Sequence, residues 1–219
     1  KEGCKMKNPL HYQLSEYDCG PTSMLNALSF LFEREDIPPE VIRNIMLYTL
    51  DCYSNEGHPG KSGTSHMAMM FLSNWLNRFR EIRQLNVICE YITGEQVFIG
   101  ETSRINDALN RGGAVVVRLF YDVQHYALLT GADDKNIYMF DPYYEDEFTD
   151  EHWSQFIPEG DVELVLDQPL KYNRIVPFGY FNREDDLLYA LGKFENREAV
   201  ILYNQKTEKT PEKTIEYFI

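Results

Sequence analysis

The sequence predicts an α+β protein, because its helical segments come first and most of its strand-forming segments come later. Apolar residues recur at helical spacing over residues 20–32, 39–50 and 64–79. From residue 86 onwards, short runs rich in Val, Ile, Tyr and Phe predict β-strands instead. These observations place a helical half before a β-rich half.

Each of the three early helices has a start signal of its own. Proline tolerates the first turn of a helix, where its missing N–H would be unpaired in any case. Gly20-Pro21 is therefore predicted to open the first helix, and Pro39 to open the second. Thr64 or Ser65 is predicted to cap the third, because a side-chain hydroxyl can accept from a free N–H of the first turn.

The later elements are mainly strands. A helix is predicted over residues 101–111, ended by Gly112-Gly113, and a short helix over residues 185–191. Residues 206–213 are polar and are expected to form a mobile tail. Strands are predicted over residues 86–91, 114–121, 125–130, 137–140, 164–166, 172–176 and 199–203.

The composition is that of a globular chain with a sizeable core. Hydrophobic residues make up 43% and aromatic residues 14% of the 219 residues, which excludes general disorder. We expect a single domain over residues 1–219. Within it, residues 7–144 would hold the chemical motifs described below, and residues 162–219 would add C-terminal strands and a tail.

The negative charge of the chain limits its partners. Lys and Arg total 21 and Asp and Glu total 35, giving a formal net charge of −14. A surface this acidic argues against binding to nucleic acid or to anionic membranes, which both need basic patches.

No run of the sequence approaches the ~20 apolar residues that a membrane-spanning helix needs. The sequence leaves the oligomeric state open.

Residues 1–10 carry charges with no apolar run behind them, so no signal peptide is visible and a cytoplasmic location is expected. The chain starts at Lys1 rather than at Met, so a removed upstream segment stays an alternative.

The four cysteines contain no CxxC pair, which suits a reducing compartment. They are Cys4, Cys19, Cys52 and Cys89.

Cys19 is the candidate nucleophile. It precedes Gly20-Pro21 at the predicted start of the first helix. A thiolate there faces unpaired N–H groups and the positive end of the helix dipole, which lower the pKa of the thiol. The alternative is a small buried residue that only packs in front of a helix.

Gln13 lies six residues before Cys19 and is the candidate oxyanion donor. Its side-chain amide could donate to the oxyanion of a tetrahedral intermediate, together with the backbone N–H of Cys19. The alternative is a glutamine in a surface loop.

His125 and Asp141 are linked by the geometry of a predicted β-hairpin. If the hairpin folds symmetrically about Asp133, then 125 lies opposite 141, 127 opposite 139, and 129 opposite 137. The Cβ atoms of opposed residues are ~5 Å apart, so the Asp141 carboxylate could hold the tautomer of the His125 imidazole. A purely structural His–Asp pair remains an alternative.

No metal or organic cofactor is expected. Cys52, His58 and His66 match no compact zinc-binding spacing. The remaining chemistry-bearing residues are those of a nucleophile and a base.

Three segments together resemble the motifs of the double-glycine leader peptidases, the bacteriocin-processing branch of the papain-like cysteine peptidase superfamily. The nucleophile motif is Tyr12-Gln13-Leu14-Ser15-Glu16-Tyr17-Asp18-Cys19-Gly20-Pro21-Thr22-Ser23. The histidine and aspartate motifs are His125-Tyr126-Ala127-Leu128-Leu129 and Asp141-Pro142, in the order and at the spacing of that family.

The resemblance implies a papain-like fold, in which the helical half carries Cys19 and an antiparallel β half carries His125 and Asp141. It implies Cys19 as nucleophile, His125 as base and then acid, Asp141 as the residue that orients the imidazole, and Gln13 as oxyanion donor. The expected activity is hydrolysis of a peptide or amide bond.

Two features differ from the best-known members of that family. Those members are fused to a membrane transporter with an ATPase domain, and the sequence predicts a stand-alone peptidase-like chain instead. The region from residue 162 onwards lies outside the motifs. A leader-peptide substrate is therefore not assumed. Two alternatives stay open: an acyltransferase that uses the same residues, and a non-catalytic module that binds peptides.

Overall fold

The computed structural model describes residues 6–83, 85–158 and 160–205. Cys4 and the predicted tail over residues 206–213 lie outside the described residues. The helices are α1 (Cys19–Leu31), α2 (Pro39–Thr49), α3 (His66–Arg83), α4 (Arg104–Asn110) and α5 (Asp150–Trp153). The strands are β1 (Val87–Thr93), β2 (Ala114–Tyr121), β3 (Val123–Ala132), β4 (Asn136–Phe140), β5 (Glu163–Leu164), β6 (Arg174–Pro177) and β7 (Glu198–Asn204).

The strands form a seven-stranded sheet with the order β1-β7-β2-β3-β4-β6-β5, and neighbouring strands pair antiparallel. β7 comes last in the chain but lies between β1 and β2. The C-terminal segment is therefore built into the sheet. Helices together with an antiparallel sheet confirm the predicted α+β class.

Successive side chains of a strand point to opposite faces, so the sheet separates two hydrophobic clusters. Ala114 and Val116 of β2 face the cluster formed with α1, α2 and α3. Val115 and Val117 face the opposite cluster, which contains α4 and the segment around residues 178–191. The three early helices thus cover one face of the sheet, with α1 against β2 and β3.

The helix start signals agree with the structure. Cys19 is the first residue of α1, and Pro21 lies in its first turn. Pro39 is the first residue of α2. Ser65 caps α3, because its Oγ accepts a hydrogen bond from the backbone N–H of Ala68 at 3.1 Å.

The helix predicted over residues 185–191 is wrong. This segment consists of turns and bends. Its backbone bonds to β2, since the Tyr189 N–H donates to the Phe120 carbonyl and the Phe120 N–H donates to the Ala190 carbonyl. Four consecutive side chains are buried there. They are Leu188, Tyr189, Ala190 and Leu191.

The predicted register of the β3–β4 hairpin is also wrong. Leu129 lies opposite Met139 instead of residue 137, and a bulge follows between Leu129 and Gly131. On the side of the bulge away from the hairpin turn, the observed pairing is shifted by two residues from the predicted pairing. A shift of two keeps each side chain there on its predicted face of the sheet. If the observed register continued beyond β4, Asp141 would lie opposite Ala127 and diagonal to His125.

Among the described residues, the helices include none that combines the length and the apolar character needed to cross a bilayer.

Candidate active site

A cleft of about 500 Å³ opens beside the N-terminus of α1, with Cys19 in its wall. Residues 62–66 and the first residues of β3 contribute to its lining. Its lining also includes Glu16, Tyr17, Cys52, Arg118, Val123, Gln124 and Tyr126. A concave site beside a nucleophile is a candidate active site.

Cys19 is a buried free thiol at the start of α1, 8% exposed. The Ser23 hydroxyl donates to the backbone carbonyl of Tyr126 at 3.0 Å, which fixes the first turn of α1 against β3 next to His125. Burial alone would raise the pKa of the Cys19 thiol. The hydrogen bond and positive charge of His125, with the N–H groups of Tyr126 and Gly20, outweigh burial and lower this pKa below its ordinary value.

Asp18 shapes the loop in front of Cys19. Its carboxylate is 3% exposed and accepts hydrogen bonds from the backbone N–H groups of Leu14 and Ser15, at 3.0 and 2.6 Å, and from the Thr22 hydroxyl at 3.2 Å. Burial would raise the pKa of Asp18, but these bonds lower it. The loop is therefore wrapped around an ionised carboxylate. The sequence analysis missed this role, although Ser15 and Thr22 flank Asp18 at turn-like spacing.

His125 and Asp141 form a buried pair, with the imidazole Nε2 2.8 Å from the carboxylate Oδ1. The two residues are 5% and 0% exposed. Burial would lower the pKa of His125, but the charge of Asp141 raises it to about 10. Burial would raise the pKa of Asp141, but His125 and then Arg174 lower it. Since Nε2 is taken by Asp141, Nδ1 is the ring nitrogen left for the Cys19 thiol.

Residues from the C-terminal segment surround Asp141. The Asn173 side chain accepts from the Asp141 N–H at 2.7 Å and donates to its carbonyl at 2.8 Å. The Tyr189 hydroxyl donates to Asp141 Oδ2 at 3.0 Å, and Arg174 Nε donates to that hydroxyl at 3.3 Å. The Tyr143 N–H donates to Oδ1 at 2.9 Å. No local pattern in the sequence predicts a role for Asn173, Arg174 or Tyr189.

Gln13 lies beside the aspartate segment, since its backbone N–H donates to the carbonyl of Pro142 at 2.8 Å. Its side-chain Nε2 donates to the Ser15 carbonyl at 2.7 Å, and its Oε1 is buried without a partner among the described residues. A hydrogen bond therefore joins His125 and Asp141, and His125 also lowers the pKa of Cys19, whereas the Gln13 amide bonds within its own loop. An amide nitrogen carries two hydrogens, so one N–H of Gln13 remains for another acceptor.

A second buried carboxylate, Glu198 at the start of β7, supports the cleft wall. It is 2% exposed and accepts from the hydroxyls of Tyr126 and Tyr91, at 2.6 and 2.7 Å. His66 Nδ1 lies 3.3 Å from Glu198 Oε1, and Arg118 Nε lies 3.8 Å from the same oxygen. These contacts hold three residues of the cleft lining in place. No local pattern in the sequence marks Glu198.

The three residues considered as metal ligands lie in different surroundings. His58 is next to Glu56, at 3.6 Å, and His66 is next to Glu198. Cys52 lines the cleft with its sulfur 3.7 Å from Asp51 Oδ1. Within the part of the chain that the structure describes, no group of three or more His, Cys, Asp or Glu side chains could hold a metal ion.

Chemically, the arrangement is a thiol whose pKa is lowered by a histidine that a buried carboxylate keeps protonated. A thiolate of this kind is a nucleophile with a proton donor beside it.

Comparisons with known proteins identify the family of the chain. No curated protein matches the chain. The sequence model of the Peptidase_C39 like family matches residues 6–160, which is more than half of the chain and includes the cysteine, histidine and aspartate motifs. The chain therefore belongs to the Peptidase_C39 like family, the double-glycine peptidase-like group that its motifs resemble.

Proposed function

We propose that the protein is a cysteine peptidase that hydrolyses a peptide bond with Cys19, His125 and Asp141. The observation that carries this proposal is the buried His125–Asp141 pair, with Nε2 2.8 Å from Oδ1, beside Cys19, whose thiol has a pKa that His125 lowers. Membership in a peptidase family supports the same reaction class.

The reaction follows from the roles of these groups. The Cys19 thiolate attacks the carbonyl carbon of the scissile bond, and the imidazolium of His125 gives its proton to the leaving amine. The acyl group remains on Cys19 as a thioester. His125, now neutral, takes a proton from water, and the resulting attack releases the carboxylic acid and restores the thiol. Asp141 stabilises the imidazolium at each stage.

Two N–H groups would donate hydrogen bonds to the oxyanion of the tetrahedral intermediate. The N–H of Cys19 has no partner within α1, because the first four N–H groups of a helix have none. The unused N–H of Gln13 would be the second. The approach of the Gln13 backbone to Pro142 supports this assignment, since it brings the Gln13 loop to the aspartate of the triad.

We also propose that residues 1–219 form one papain-like domain. α1 carries the nucleophile, and β3 with the end of β4 carries its partners. The position of β7 between β1 and β2 supports a single unit, since the early and late parts of the chain share one sheet.

The test is incubation with a peptide library, followed by mass spectrometry of both the peptides and the protein. We expect cleaved peptides and an acyl adduct on Cys19, both lost in Cys19→Ala and retained in Cys89→Ala. Cys89 is a matched control, because its thiol is buried on β1 and burial raises its pKa. Transfer of the acyl group to an added amine without hydrolysis would identify an acyltransferase. Binding without any Cys19 adduct would contradict an enzyme.

A further inference from the structure

The C-terminal segment contributes a buried hydrogen-bonded series to the site. Arg174 and Tyr189 are both 0% exposed, and the series runs from Arg174 Nε to the Tyr189 hydroxyl and on to Asp141 Oδ2. Both residues lie beyond residue 160, where the family match ends. Resting on the proposed function, we propose that Tyr189 and Arg174 are positioning residues that keep the Asp141 carboxylate ionised and aimed at His125.

The two carboxylate oxygens of Asp141 accept hydrogen bonds from different donors. Oδ1 accepts from His125 Nε2 and from the Tyr143 N–H, while Oδ2 accepts from the Tyr189 hydroxyl. A carboxylate held at both oxygens cannot rotate. The orientation of the His125 ring therefore depends on a hydroxyl that lies 48 residues further along the chain than Asp141.

Charge gives Arg174 a role of its own. A fully buried guanidinium is costly unless it is bonded and electrically balanced. Arg174 donates to the Asn173 carbonyl at 3.0 Å and to the Tyr143 carbonyl at 3.4 Å, and its charge is among the influences that lower the pKa of Asp141. The thiolate and imidazolium add one charge of each sign, so the four ionised groups sum to zero.

The other titratable groups that face Asp141 do not replace this cation. Burial raises the pKa of Tyr121, and the charge of Glu16 raises the pKa of Tyr143, so both phenols are neutral at physiological pH. Burial also raises the pKa of Tyr189, which leaves its hydroxyl a donor. The cations acting on Asp141 are His125 and Arg174.

The backbone at Tyr189 is consistent with a constrained position. Tyr189 has a φ of +60°, a conformation that non-glycine residues rarely adopt and that is strained. Its N–H donates to the Phe120 carbonyl at 2.7 Å, and the Phe120 N–H donates to the Ala190 carbonyl at 2.8 Å. These two bonds tie the strained residue to β2 and direct its ring inward toward Asp141.

The test is the pH profile of Cys19 alkylation in Tyr189→Phe, a change that removes only the hydroxyl. Without that donor Asp141 protonates more easily, and the imidazolium that stabilises the thiolate loses its counter-charge. We expect the acid-side midpoint of the alkylation rate to rise by about 0.5 to 1 pH unit. This readout needs no substrate, so it remains valid if the peptidase proposal fails.

Tyr180→Phe is the matched control. Tyr180 is also 0% exposed, and its hydroxyl accepts from the Ile157 N–H at 3.2 Å, so this variant loses a buried hydroxyl elsewhere. Its midpoint is expected to match the parent protein. An equal midpoint in folded Tyr189→Phe and Tyr180→Phe would overturn the proposal.

Arg174→Gln covers the case in which Tyr189→Phe does not fold. A glutamine can still donate a hydrogen bond but carries no charge, so Asp141 protonates more easily. We expect the midpoint of this variant to rise in the same direction, and that of Arg174→Lys, which keeps the charge, to rise by a smaller amount. A folded Arg174→Gln with the midpoint of the parent protein would also overturn the proposal.

Discussion

Gly20 and Thr64 meet so closely that a β-carbon on Gly20 would lie 2.8 Å from the Cβ of Thr64. Gly20 is the second residue of α1, next to Cys19, and Thr64 belongs to the loop that bounds the cleft. The missing side chain at position 20 therefore lets the cleft loop pack directly on the nucleophile-bearing turn.

Gly20→Ala is expected to destabilise the protein by about 1–3 kcal/mol, because the new methyl group must displace the Thr64 backbone or α1. Urea denaturation measures the loss. Gly20→Ala combined with Thr64→Gly should regain part of it, since the second change removes the clashing atoms. Gly100→Ala is the control, because its β-carbon would be 3.7 Å from the nearest atom, in Phe98. A Gly20→Ala protein as stable as Gly100→Ala would show that the contact is not tight.

Cys19 is expected to react as a thiolate below the ordinary cysteine pKa of ~8.5. Its pKa is lowered, so the thiolate persists as the pH falls, and His125 keeps its proton up to a pKa of about 10. The ion pair therefore spans the interval between the two pKa values. Iodoacetamide alkylation followed by mass spectrometry, from pH 5 to pH 11, measures the profile.

His125→Ala should move the alkylation midpoint of Cys19 to higher pH. Burial raises the pKa of the Cys19 thiol, and the positive charge of His125 would no longer oppose it. Cys52→Ala is the control and should leave the profile unchanged. A Cys19 that reacts at pH 6 no faster than a free thiol would rule out the ion pair.

Asp141→Asn is expected to keep the overall fold with some loss of stability, because the buried Arg174 loses a counter-charge, and to lower kcat by about 10²- to 10⁴-fold. The amide cannot stabilise the imidazolium, and an amide N–H facing Nε2 forces the wrong tautomer on His125. Turnover of a cleaved peptide and circular dichroism measure the two properties. Asp146→Asn, an exposed carboxylate nearby, should change neither. Unchanged turnover in Asp141→Asn would assign the orienting role to another residue.

Gln13→Ala is expected to lower kcat by about 10²- to 10³-fold with little change in stability or in Cys19 alkylation. An oxyanion exists mainly in the transition state of acyl transfer, whereas alkylation forms no tetrahedral oxyanion. Steady-state kinetics and alkylation rates are measured on the same preparations. Gln96→Ala removes the same side chain from an exposed position outside the cleft lining and should leave kcat unchanged. Equal kcat values for Gln13→Ala and the parent protein would remove Gln13 from the mechanism.

Local patterns were sufficient to place the elements that hold the proposed catalytic residues. Gly20-Pro21 marks the start of α1 and so the place of Cys19, because the dihedral limits of proline and glycine act within a few residues. The two-residue period of strands placed His125 and Asp141 on one face. That conclusion survives the two-residue error in register, since the error preserves the period.

Tertiary structure alone decided what surrounds these residues. The bulge after Leu129 changed the hairpin register, and the backbone hydrogen bonds of residues 189 and 190 to β2 replaced a predicted helix with turns. Asn173 and Tyr189 reach Asp141 across 32 and 48 residues of chain, and β7 enters the sheet beside β2. Such contacts depend on how distant segments close on one another, whereas a sequence pattern encodes only local backbone preference and the face that each side chain occupies.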